Sequence, residues 1–227
     1  MAKNKINRTT PLNRGNRPDF SDYLSHFTKD GDFCNVKQNV DIANFKAMNA
    51  FEKLCSILQM REIKASIMPW TGTLGICFTE CPWSSLLVHT KRYSSYGIGF
   101  TKEFIYREGG CPVFYMRFKL LNAIQKNIKD NQTKQTLLKL LTPYSPDFDT
   151  DYAKQKHPRV DYTHEREWRI SSNLQFEYKD IAFLIIEKHE DYDSLPMIFR
   201  ENFDRNKIIV MDNYRLVEEL WPVHIKL

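Results

Sequence analysis

The chain has 227 residues, 42% hydrophobic and 13% aromatic, which supports a sizeable core, and its 27% charged content argues against disorder. No stretch approaches the ~18–20 apolar residues of a membrane span, and the basic N-terminus lacks the apolar run of a secretory signal, so the expected location is the cytoplasm. The odd set of five cysteines suits a reducing compartment, and Cys77 and Cys81 lack the second close pair that a zinc site needs.

In chain order, residues 1–18 come first, with Lys3, Lys5, Arg8, Arg14 and Arg17 and no acid. They carry a charge of +5, equal to that of the whole chain. Such an arm suits nucleic-acid phosphates or an acidic partner; the plain alternative is a solvated tail. Residues 19–227 read as a single domain. Residues 22–28 alternate and are aromatic, as in a strand. Within 44–60, Phe45, Met48, Phe51, Leu54, Cys55 and Leu58 recur at helical spacing. A buried strand follows at 74–79, with a short helix around 83–93 and a short strand at 97–100. A stronger strand is predicted at 112–120, then one or two helices within 119–141. Residues 142–162, holding Pro143, Pro146 and Pro158, read as a long loop. Strands are predicted at 165–170 and 207–211, helices near 194–203 and 214–220, and the apolar run 181–186 reads as a central strand. This irregular mixture predicts an α+β fold with mixed or antiparallel sheets and flanking helices.

The chain has no phosphate-binding glycine loop, no dinucleotide fingerprint and no nucleophile elbow. His164-Glu165 opens like the zinc-protease helix signature, but Trp168 stands where the second His must be. What remains is the strand at 165–170, on which Glu165, Glu167 and Arg169 would share one face and Arg166, Trp168 and Ile170 the other. Its plain reading is a solvated face above a core of Trp168 and Ile170. His26 on the first strand is equally ordinary by itself.

The order of the short motifs carries more. Tyr-Leu-Ser-His-Phe-Thr (23–28) precedes a helix holding Leu-Cys-Ser-Ile-Leu (54–58). Ile-Cys-Phe-Thr-Glu (76–80), Tyr-Gly-Ile-Gly-Phe (96–100) and Glu-Arg-Glu-Trp-Arg-Ile (165–170) follow. Over roughly residues 20–190 this resembles the bacterial abortive-infection (phage-resistance) family and, more remotely, the ADP-ribosyltransferase fold.

The second resemblance implies NAD as cofactor, with His26, in its His-Phe-Thr motif with Thr28, holding the ribose. Glu167 would stabilise the cation formed as nicotinamide leaves, and Glu165 would face the acceptor nucleophile. The middle-strand residue of the nicotinamide pocket would be Thr79, Ser95 or Tyr96. The 142–162 loop mixes Tyr144, Phe148, Tyr152 and Tyr162 with Lys154, Lys156, His157 and Arg159, which suits unpaired bases and phosphates; the plain alternative is a surface loop whose aromatics cover the core. The implied function is an NAD-dependent ADP-ribosyltransferase toxin of phage defence, with nucleic acid preferred over protein as acceptor. The alternative is a non-catalytic antitoxin or regulatory partner of another defence protein that keeps the fold.

Overall fold

The computed structural model describes residues 21–31, 48–80, 90–91, 93–146 and 161–220. The basic arm, most of the helix expected at 83–93, and the cationic stretch of the 142–162 loop lie outside these residues.

The fold is α+β. Its main sheet has the strand order β12-β11-β5-β1-β4-β9-β6, with β3 on β4. These strands are β1 (Tyr23–Phe27), β3 (Ser66–Ile67), β4 (Leu74–Thr79), β5 (Gly97–Thr101), β6 (Cys111–Pro112), β9 (Glu167–Ile170), β11 (Ile181–Ile186) and β12 (Ile208–Val210). All pairs are antiparallel except β11 with β12, so the sheet is mixed.

One face is covered by α1 (Ala50–Met60), whose Ala50, Leu54, Ile57 and Leu58 fall on one buried stripe. Asn49 and Glu52 form a reciprocal capping box at its start, and Arg61, in the left-handed region at φ 52°, ends it. Leu54, Leu58, Leu24, Ile76, Phe78, Ile98, Phe100, Ile170 and Leu184 form the main core on this face. On the other face a smaller core gathers Phe27, Phe183, Ile185 and Met211. Gly99 belongs here: a Cβ at that position would lie 2.2 Å from the Phe183 ring, so only glycine lets the ring rest on the strand.

Beside this core sits a lobe made of β7 (Phe114–Arg117), α3 (Phe118–Asn127), α4 (Asn131–Leu138) and β8 (Leu141–Tyr144). Strands β7 and β8 pair in parallel, and Leu121, Leu138 and Leu141 form a core of the lobe's own. A further two-stranded antiparallel sheet joins β2 (Glu62–Ile63) to β10 (Leu174–Gln175).

Three expectations need correction, and one helix went unanticipated. The strand expected at 112–120 is divided between β6 and β7, and the chain turns helical at Phe118. Residues expected in a loop at 142–144 instead form β8, with Thr142 and Pro143 buried, because β7 supplies a pairing edge. The helix α2 (Lys102–Arg107) was not anticipated; the Thr101 side chain caps it by accepting from the Phe104 amide at 3.1 Å. Finally, the strand expected from Glu165 starts at Glu167, because Arg166 adopts φ 45° and leaves Glu165 in the preceding 3₁₀ turn.

Candidate functional site

Strand register decides which candidate residues can meet. Ser25 lies opposite Thr79 across β1 and β4, and Thr79 lies opposite Glu167 across β4 and β9. Cross-strand partners share a face, so Ser25, Thr79 and Glu167 point the same way. His26 alternates with Ser25 and points the other way, opposite Ile98 and with its ring 5.8 Å from that of Phe78. His26 and Glu167 are therefore on opposite faces of the sheet. One NAD ribose cannot touch both, and the residues do not fit that cofactor in the expected arrangement.

His26 is held as a structural side chain. Its Nδ1 is 2.9 Å from the Cys77 carbonyl, which can only accept, so Nδ1 carries the proton. Burial holds its pKa below the ordinary histidine value, with the bond to the carbonyl working the other way. The imidazole is neutral at pH 7.

Glu167 and Arg169 do share a face, as expected, but it is not solvated: they are 5% and 1% exposed beneath the lobe. Arg169 donates to Glu167 Oε1 from Nη2 at 2.6 Å and from Nε at 3.0 Å. It also donates to the Lys139 and Leu141 carbonyls just past the end of α4, at 2.8 and 3.3 Å, and to Thr142 Oγ1 at 2.9 Å. Thr142 in turn donates to Glu167 Oε2 at 3.1 Å, and the Tyr115 hydroxyl accepts from the Glu167 amide at 2.9 Å. Both carboxylate oxygens of Glu167 are engaged. The arrangement clamps the lobe to the sheet, and Trp168 and Ile170 pack into the main core behind it.

Glu165, set apart by the turn at Arg166, is buried beneath Tyr93, whose hydroxyl lies 3.2 Å from both carboxylate oxygens. Thr79 donates to the Glu165 carbonyl at 2.6 Å, which ties the 3₁₀ turn to β4.

Of the remaining candidates, Ser95 and Tyr96 line an open cleft of about 560 Å³ between α1, the segment leading into β5 and α5 (Met211–Leu220). At its edge Thr28 donates to the Ala50 carbonyl at 2.8 Å. Ser95 accepts from Arg215 Nη2 at 2.9 Å. The Tyr96 hydroxyl faces Asp191 Oδ2 at 3.1 Å and Glu187 Oε2 at 3.3 Å; burial, then these carboxylates, push its pKa well above the usual phenol range. Arg215 lies 3.4 Å from Glu187 and 2.6 Å from Asp212, with side-chain exposures of 40% for Arg215 and 34% for Glu187. Phe51 and Tyr93 complete the aromatic wall.

Sequence reasoning missed Tyr93, Glu187, Asp191 and Arg215. Nothing in their local pattern marks them, because they converge from three segments far apart in the chain. Among the described residues no group of His, Cys, Asp and Glu could hold a metal ion.

Fold and site together define an α+β protein whose motif-bearing polar side chains are engaged in holding the structure. The family model of "Putative abortive phage resistance protein AbiGi, antitoxin" matches residues 71–217, nearly two thirds of the chain, and the chain belongs to that family. The match spans Glu165 and Glu167 but begins after His26 and Thr28. It corrects the leading functional expectation: the family is described as an antitoxin, which fits the non-catalytic alternative better than an ADP-ribosyltransferase toxin. No curated protein and no solved structure matches the chain.

Proposed function

We propose that the protein is a non-catalytic antitoxin that acts by binding a toxin of the same defence system. Membership of a family described as an antitoxin carries this reading. The engagement of Glu167 in a buried ion pair agrees with it, since a carboxylate so held is not available to a substrate. The cleft is the contact we assign to the toxin. Its Phe51, Tyr93, Tyr96 and half-exposed Arg215 are residue types enriched where proteins bind proteins.

Paired expression tests this. The chain alone should leave growth unchanged, should restore growth when co-expressed with the toxin, and should co-purify with it. Growth arrest by the chain alone, or undiminished toxicity beside it, would overturn the reading.

A further inference from the structure

We infer that the lobe formed by residues 114–146 is a separate binding surface for the phosphate backbone of nucleic acid. This goes beyond the antitoxin reading and does not depend on it. The lobe carries Arg117, Lys119, Lys126, Lys129, Lys134 and Lys139 against one acid, Asp130, a net charge of +5. That acid serves the fold, capping α4 by accepting from the Thr133 amide at 2.8 Å. Residues 161–220, by contrast, carry 14 acids and 8 cations. These two regions are thus oppositely charged, and a polyanion approaching them is drawn to the lobe and repelled from residues 161–220.

The geometry of α3 agrees. Leu121 and Ile124 turn inward to the lobe's core, while Lys119 and Lys126 are exposed on the opposite side. Seven residues apart, they lie along one line of the helix about 10.5 Å from each other. Lys129 is exposed just past the end of α3, and Arg117 just before it. The chemistry of these side chains also separates this surface from the cleft. Five of the six cations are lysines, a residue type depleted where proteins bind proteins and a regular contact of nucleic-acid phosphates. A cradle of this kind recognises charge and spacing, not base sequence.

The test is fluorescence anisotropy of the full chain with labelled duplex DNA and, separately, labelled single-stranded RNA, between about 50 and 200 mM salt. The wild type is expected to bind, with affinity falling linearly in log salt. A combined Lys119→Gln, Lys126→Gln, Lys129→Gln variant should lose roughly tenfold or more at the low-salt end. On duplex DNA its salt slope should be shallower by about 2.7, at ~0.9 per phosphate contact. A charge-matched Lys64→Gln, Lys91→Gln, Lys179→Gln variant, altered outside the lobe, should bind as the wild type does. A thermal midpoint equal to the wild type's in both variants keeps the comparison one of surfaces. Binding to DNA or to RNA alone identifies which polymer the lobe serves. The inference fails if the wild type binds neither polymer, or if both triple variants lose affinity equally. It also fails if the lobe variant releases the toxin while its polyanion binding is unchanged, which would make the lobe a protein-docking surface.

Discussion

The molecule contains the same ionic partnership in two settings. Glu167 and Arg169 meet under the lobe, both nearly sealed from water, with hydrogen bonds to Thr142 and to two carbonyls around them. Glu187 and Arg215 meet at the cleft with a third or more of each side chain in solvent, and Arg215 is shared with Asp212 and Ser95. A sealed pair is costly to break and poor at chemistry, because neither charge can be spared. A half-open pair contributes little to stability and can exchange partners when another protein arrives. The difference separates a structural clamp from the surface we propose for the toxin, and the E-x-E-W-R motif marks only the clamp.

The largest effect should come from breaking the clamp. Arg169→Met leaves Glu167 buried without its cation and should destabilise the fold by about 3–5 kcal/mol in chemical denaturation. Adding Glu167→Leu should recover most of that loss, because an apolar pair of similar volume removes the stranded charge. Next comes the packing on the second face. Gly99→Ala would drive a methyl into the Phe183 ring and should cost about 1–3 kcal/mol, read as a fall in denaturation midpoint with unchanged slope.

His26 should appear in the pH profile. Its folded pKa is depressed and its unfolded value is about 6.5, so the unfolded chain binds the proton first. Its contribution is complete above pH ~6.5 and is lost as pH falls toward the depressed folded value. His26→Asn, which can still donate to the Cys77 carbonyl but does not titrate, should flatten that part of the acid limb in a series of melts. The smallest stability effect should be that of Arg215→Ala, within about 1 kcal/mol, because its ion pairs are part-exposed. The same variant should nevertheless weaken co-purification with the toxin, and that divergence sharpens the contrast between the two pairs.

The fold was legible where the pattern is local. β4 and β11 stand at the residues their apolar runs predict, and α1 lies within the helical spacing at 44–60. What failed was what depends on partners distant in sequence. β8 is a strand because β7 lies beside it, and a Thr-Pro stretch announces no such neighbour. Arg166 takes a left-handed conformation that no local residue requires, and that single dihedral removes Glu165 from the strand. The irregular mixture of strands and helices marked the α+β class, and the motif order marked the family and the segments that matter. It could not reveal register, and register placed His26 and Glu167 on opposite faces. The cleft was legible only in part: Ser95 and Tyr96 were singled out, but Glu187, Asp191 and Arg215 arrive there only through folding.

The central claim is that Glu167 serves the fold and not a reaction. The most direct measurement is toxin neutralisation by the Glu167→Leu, Arg169→Met double variant, with circular dichroism and the denaturation midpoint recorded on the same preparation. The clamp reading predicts a folded protein that restores growth beside the toxin as the wild type does. A variant that folds with wild-type spectrum and midpoint but no longer neutralises the toxin would contradict it.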